Sequence, residues 1–356
     1  MIDETPPSTI ISRVTKTGVD ESQRHWPGHP VSAVVAGTGS HVPVRVLTNA
    51  DLEKMVDTSD QWITERTGMK ERHIAAEGEA ASDIALIACQ KAFADADVKP
   101  GELDLIIVGT VTGDMAFPST ACILQQRLGA PNAAAFDVSA GCTGFIYALS
   151  IARQFIAAGA CRTVLVVGVE VLSKVTDWTD RSTCVLFGDG AGAAVLKADT
   201  APDKGILATY MAADGGGGGH LYMPAGGSRL PASVETVRQR LHTLKMDGNA
   251  TFKVAVRSMA DAVRHLLLQT GLTPDDIKLL IPHQANLRII DATARLLKFP
   301  SGRVFVNIAK YGNTSSATTI IALDEARKQG LVQPGDVVML VAFGAGLTWG
   351  GVAIRF

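Results

Sequence analysis

The chain has 356 residues, of which 47% are hydrophobic and 19% charged. That length suggests about two domains of roughly 150 residues each, and the composition excludes disorder as the main state. A net charge of −2 offers no basic domain of the kind that nucleic-acid binders carry.

Residues 1–30 hold Pro6, Pro7, Pro27 and Pro30 among polar neighbours and read as a loose N-terminal arm with no secretory apolar core. A strand is expected over 32–36, ending in Gly37-Thr38-Gly39. A helix is expected over 48–55, with Thr48 as N-cap. Residues 80–96 form a second helix that places Ile84, Ile87, Ala88 and Ala92 on one face. The continuous apolar run 105–108 suits a strand buried on both faces. Helices over 119–128 and 143–158 then alternate with strands over 133–138 and 164–167, the pattern of an α/β domain. Strands at 192–196 and 206–211 are expected to close this half.

The run Gly215 to Gly219, followed by Pro224, Gly226-Gly227 and Pro231, reads as a flexible loop. No Gly-Lys-Ser/Thr follows it, so it is not a phosphate loop. A helix over 251–269 and a strand over 277–281 come next. Residues 337–354 carry no charge and have the length of a membrane helix. Gly344, Gly346, Gly350 and Gly351 interrupt them, and two buried strands joined by a turn fit better. No membrane association is expected. The five cysteines form no Cys-x-x-Cys pair, which argues against a disulfide framework or structural zinc and fits a reducing compartment.

The second half repeats the plan of the first. Residues 98–107 resemble 272–281, with Pro100 and Pro274 174 positions apart. Gly141-Cys142-Thr143 aligns with Gly312-Asn313-Thr314, and 165–168 with 341–344, at offsets of 171 and 176. Three ordered matches argue for a duplicated α/β unit. The expected organisation is an arm at 1–30, one half at 31–211, a glycine-rich connection at 212–232 and a second half at 233–356. Cys142 and Asn313 would be pseudo-equivalent, each at a strand-to-helix turn. His283 would lie at the carboxyl end of its strand, where α/β sheets bind ligands.

Cys142 stands between glycines at an expected helix start, a setting that lowers a thiol's pKa and lets a substrate approach. A buried core cysteine fits that position equally well. His283 alone would read as a core histidine. Together with Asn313 it completes a Cys/His/Asn set whose two neutral donors suit a thioester oxygen becoming an enolate. Cysteine proteases use a similar set, but not on a duplicated α/β unit.

Ala140-Gly141-Cys142, Pro282-His283-Gln284-Ala285-Asn286, Tyr311-Gly312-Asn313-Thr314-Ser315 and the stretch from Phe343 to Gly350 resemble the thiolase superfamily. Within it, the chain from about Val31 to Phe356 is similar to the β-ketoacyl-acyl carrier protein synthase III family, the initiating condensing enzymes of type II fatty acid synthesis. The resemblance implies a five-layered αβαβα thiolase-like fold, a cytoplasmic homodimer and an acyltransferase needing no metal or redox cofactor. It implies ping-pong chemistry in which Cys142 takes an acyl group, usually acetyl, from acyl-CoA. Malonyl-acyl carrier protein would then lose CO2 while His283 and Asn313 hold its thioester oxygen. The backbone N–H groups of Cys142 and Ala345 would form the oxyanion hole. Trp62 and Arg181 would sandwich the adenine of CoA, with Arg66 near the nucleotide phosphates and Asn249 on the pantetheine arm. Phe117 would line the partner subunit's acyl pocket.

The acidic carrier protein would meet Lys253, Arg257, Arg264 and Arg288, with Asp261 tempering that face. Three features depart from the family pattern: the arm, a long glycine-rich loop, and Ala345 where glycine is common. They leave the primer open. A condensing enzyme of secondary metabolism is the nearest alternative. A nucleotide-dependent oxidoreductase built on Gly188-Asp189-Gly190-Ala191-Gly192 lacks the strand-turn-helix context. A non-catalytic scaffold would be expected to lack Cys142.

Overall fold

Apolar runs supply the strands of two sheets in the computed structural model, which describes residues 31–356; the expected arm lies outside the described residues. The first sheet contains β1 (Ser32–His41), β2 (Leu105–Gly109), β3 (Ala134–Val138), β4 (Thr163–Val171) and β5 (Asp189–Asp199). Its order is β1-β5-β4-β2-β3; β1, β4, β2 and β3 run in one direction and β5 alone runs antiparallel between β1 and β4. Every residue of β4 is buried, as its near-unbroken apolar sequence requires of a strand covered on both faces.

β1 does not stop at Gly37. It continues to His41 through a bulge between Val35 and Gly37. The glycines there serve close packing, not a turn. A Cβ on Gly39 would stand 2.4 Å from the Ala88 carbonyl oxygen, and one on Gly37 2.4 Å from the Ala96 amide nitrogen.

The second sheet contains β6 (Gly205–Ala213), β7 (Ile277–Pro282), β8 (Val337–Gly344) and β9 (Thr348–Arg355), in the order β7-β8-β9-β6. The uncharged stretch near the C-terminus is therefore two buried strands. β6 does not close the first half as expected. Both edges of β5 are already paired, with β1 and β4, so the strand that follows cannot join it and pairs with β9 instead.

The helices longer than five residues are α1 (Asp60–Thr67), α2 (Ala81–Ala96), α3 (Thr120–Leu128), α4 (Gly144–Ala157), α5 (Gly248–Thr270), α6 (Leu287–Leu297) and α7 (Thr318–Lys328). α2 and α3 cover one face of the first sheet, and α5 and α6 one face of the second. α4 and α7 fill the space between the sheets, where Phe145, Leu149, Ile320 and Leu323 meet Val166 and Leu340. The layers run αβαβα, which is the thiolase-like architecture. The expected helix at 48–55 is cut to Asn49–Leu52, with Thr48 and Asp51 in a capping box. The glycine run is not a loose loop either. It forms a 3-10 turn over Gly215–His220, capped by Asp214.

One expected equivalence shifts. The 3-10 turn Gly141–Thr143 leads into α4, and its counterpart leading into α7 is Ser315–Ala317, again at an offset of 174. Both turns open on a left-handed residue, Gly141 at φ 52° and Ser315 at φ 48°. Cys142 thus corresponds to Ser316, and Asn313 sits just ahead of the turn.

Arg72 anchors the segment beside the site. It is wholly buried and donates to the Leu47 and Val185 carbonyls and to Asn49 Oδ1. Burial pulls its guanidinium down to about 10. Arg72→Met strands those acceptors, and we expect a loss of about 3 kcal/mol. Thermal unfolding would show it as a midpoint lowered by roughly 5 °C.

Candidate active site

β3 ends at Val138, and Gly141 turns the chain into the 3-10 turn that carries Cys142. A Cβ on Gly344 would lie 2.5 Å from the Cys142 amide nitrogen, and one on Gly141 would lie 2.9 Å from that of Ala345. Only glycines allow these two backbone segments to press together, which sets the Cys142 and Ala345 amides side by side. Gly344→Ala should therefore displace the Cys142 turn. We expect it to lower turnover by about 100-fold or more, as a misplacement near 1 Å can, with the protein still folded by circular dichroism.

His283 follows β7 directly, and its backbone N–H donates to the Val341 carbonyl at 2.7 Å. Its Nδ1 lies 2.6 Å from Thr318 Oγ1, which is also 3.0 Å from the Ser315 carbonyl. Burial pushes the imidazole down to about 3, so it is neutral at ordinary pH. Asn313 Oδ1 accepts from the Ser315 amide at 2.8 Å, which leaves its Nδ2 as the group free to donate. Cys142, His283 and Asn313, drawn from three separate turns, line one cavity of about 120 Å³.

Cys142 also lines a second, apolar cavity of about 200 Å³, with Leu172, Leu221, Met223, Leu244 and Ala345 among its walls. Cys142, with Phe187 and Leu221, thus lies where the two chambers meet. An open cleft of about 690 Å³, lined by Trp62, Arg66, Asn249, Lys253 and Arg288, shares Met246, Gly248, Phe252 and Asn286 with the first chamber. A path leads from this mouth to the thiol.

The thiol is not the low-pKa thiolate expected from its helix start. Burial pushes it up to about 12; a Ser315 hydrogen bond pulls the other way, and the Glu170 carboxylate adds to the rise. The neutral His283 supplies no opposing positive charge. Among the described residues, no cluster of histidine, cysteine, aspartate or glutamate could hold a metal ion.

Residues 136–215 match the family model described as 3-oxoacyl-[acyl-carrier-protein] synthase III, and residues 267–356 match the model of its C-terminal part. The β-ketoacyl-[acyl-carrier-protein] synthase III of Caldanaerobacter subterraneus subsp. tengcongensis is 58% identical over 326 residues, spanning 92% of this chain and 98% of that one. The chain belongs to the β-ketoacyl-acyl carrier protein synthase III family. The crystal structure of the Aquifex aeolicus synthase III is similar at a TM-score of 0.84 and 50% identity, covering 91% of this chain and all of that one. The priming β-ketosynthase of the R1128 polyketide pathway superposes with a TM-score of 0.85 at 38% identity, over 93% and 97% of the two chains.

The outer residues that the synthase III resemblance singled out fall as follows. Trp62 lies on α1 at the mouth. The guanidinium carbons of Arg66 and Arg181 stand 4.9 and 4.8 Å from its ring centroid, and Arg181 is also paired with Asp57 at 3.1 Å. A planar ligand ring between Trp62 and Arg181 therefore has to displace the arginine. Asn249, Lys253 and Arg288 border the mouth, and Arg257 is exposed one turn further along α5. Arg264 is tied to Asp261 at 2.8 Å. Phe117 is 84% exposed and lines none of the three cavities.

Two parts of the site escaped the sequence reading. The walls supplied by Leu221, Met223 and Leu244 had no motif to mark them. Glu170 had a signal that was passed over, as the lone acid in an apolar strand.

Proposed function

We propose that this chain condenses an acyl-CoA primer with malonyl-acyl carrier protein, releasing CoA, CO2 and a 3-ketoacyl-acyl carrier protein, and so primes fatty acid synthesis. The observation that carries this reading is a single thiol that lines both a chamber holding two neutral side-chain donors, His283 and Asn313, and a second, apolar chamber. Sγ attacks the primer carbonyl, and the CoA thiol leaves through the mouth. The Cys142 and Ala345 amides hold the oxyanion. The acyl chain rests in the apolar chamber.

The malonyl thioester of malonyl-acyl carrier protein then occupies the chamber lined by His283 and Asn313. In the tautomer in which Nδ1 accepts from the Thr318 hydroxyl, the neutral His283 ring carries its one proton on Nε2 and donates it, with Asn313 Nδ2, to the thioester oxygen as CO2 departs. The resulting carbanion attacks acyl-Cys142. No step changes an oxidation state at the protein, so the residues present suffice without a redox cofactor.

Trp62, Arg66 and Arg181 would hold the CoA nucleotide, and Asn249 the pantetheine. Trp62→Ala is expected to raise the KM for acyl-CoA about 10-fold, the value of one stacking contact, with kcat little changed in steady-state assays. Lys253, Arg257 and Arg288 would meet the acidic carrier protein. Phe117, exposed here, would reach a second subunit's acyl chamber in a cytoplasmic homodimer. The two sheets read as duplicated halves, the second starting at β6.

Intact-protein mass spectrometry after brief exposure to a panel of acyl-CoAs tests the reading. One acyl adduct, absent in Cys142→Ala and discharged by malonyl-acyl carrier protein, is the expected result. The R1128 relative favours a second reading, a priming enzyme of secondary metabolism, which would show as preference for a longer or branched acyl group.

A further inference from the structure

Glu170 lies in β4 with no exposed surface. Among the described residues it forms no ion pair; hydroxyls and an amide surround it instead. Oε2 accepts from Thr112 Oγ1 at 2.5 Å and from the Val111 amide at 3.2 Å, and Thr110 Oγ1 stands 3.4 Å away. Oε1 accepts from Ser315 Oγ at 3.2 Å. A buried carboxylate without a cation is costly, so a fold that keeps one and solvates it with hydroxyls has provided for it specifically.

Ser315 connects this carboxylate to the nucleophile. Its hydroxyl pulls the pKa of the Cys142 thiol down, both residues line the second chamber, and the two 3-10 turns that carry them pack against each other. Because the serine donates to Glu170, its lone pairs are free to accept from S–H. Ser315 also holds a left-handed backbone at φ 48°, a strained choice for a residue with a side chain.

We propose that Ser315 and Glu170 form a proton relay for Cys142. As Sγ bonds to the primer carbonyl carbon, the S–H proton passes to Ser315 Oγ and the serine proton passes to Glu170 Oε1. The C–S bond of the acyl-CoA breaks, and the departing CoA thiolate takes a proton from water in the open mouth. Glu170 keeps its proton while the acyl-enzyme waits. When the carbanion attacks and the Cys142 thiolate is expelled, the relay runs backwards and restores the thiol. One solvent proton is consumed per turnover, which balances conversion of the malonyl carboxylate to CO2.

Burial raises Glu170 to about 7, into the range where a carboxylate can both take and return a proton. The groups packed around it do not compete. The 110–112 turn presents hydroxyls and amides, β5 presents Gly190 opposite Glu170, and the 315–317 turn presents hydroxyls. Cys142 is the ionisable side chain coupled to it, and His283 nearby in the site is neutral. Ser315 and Glu170 act through Cys142 and position its proton.

The proposal rests on Cys142 as acyl acceptor, so its test uses a reaction that needs no acyl donor. Alkylation of Cys142 by iodoacetamide is followed by peptide mass spectrometry from pH 5.5 to 9.5, in wild type, Glu170→Gln, Glu170→Asp and Ser315→Ala. In wild type the rate should rise through an inflection near 7, as Glu170 loses its proton and becomes a base. That limb should vanish in Glu170→Gln and Ser315→Ala, with alkylation and acetyl-CoA acylation both slowed about 100-fold at pH 8, and return in part in Glu170→Asp. A merely structural role would leave the shape of the profile unchanged, and profiles matching wild type would overturn the relay. Should Glu170→Gln not fold, Ser315→Ala decides the matter with the carboxylate intact. Wild-type protein that alkylates as described but takes no acyl group would instead sink the function proposed above and spare the relay.

Discussion

Cys142→Ala should take up no acyl group from any CoA ester and lose at least about 10⁴-fold in turnover, the scale on which covalent catalysis fails without its nucleophile. The expectation follows from placement. The thiol is the reactive atom common to both chambers, and the exposed Cys122 lies on α3 at the outer face of the first sheet, lining neither. No other cysteine can substitute. Mass spectrometry of the intact chain checks the first claim, and release of CoA thiol followed over hours checks the second. An adduct persisting in the variant would mean that some other group accepts the acyl chain.

His283→Ala and Asn313→Ala should separate the two halves of the reaction. Acylation by acyl-CoA should change by no more than about 3-fold, because the donors for that step are backbone amides that neither substitution removes. Condensation with malonyl-acyl carrier protein should fall by about 10²–10³-fold in each variant, the usual value of one oxyanion donor. The pH dependence has a definite sign. Burial lowers His283 to about 3, so the ring is already neutral throughout the range from 5 to 8. No limb of the condensation profile near 6.5 should belong to it. Single-turnover experiments that begin from isolated acyl-enzyme measure this step alone. A loss of acylation equal to the loss of condensation would contradict the division of labour.

The three central side chains were legible because each sits in a short motif whose glycines or prolines are demanded by local geometry. Gly141 is left-handed and Gly344 presses on the Cys142 amide, so those letters are fixed by backbone space and stand out in one sequence. The buried strands were legible as apolar runs. β6 was misplaced because strand partnership is decided at long range, by which edges are already filled. The state of the Cys142 thiol was misread for a related reason. A helix start can be seen in the sequence, whereas the burial that opposes it comes from turns far along the chain. The equivalence between Cys142 and Asn313 slipped by three residues because the glycine motifs resemble one another more than the turns they precede.

The wall formed by Leu221, Met223 and Leu244 belongs to neither large sheet. The two short strands that bracket it, Leu221–Tyr222 and Lys245–Met246, pair only with each other. Substitutions there would reshape the second chamber, where the proposed function puts the acyl tail, without disturbing the pairing of the two large sheets. On the proposed function, a change in this wall would alter which starter unit fits while Cys142, His283 and Asn313 keep their places.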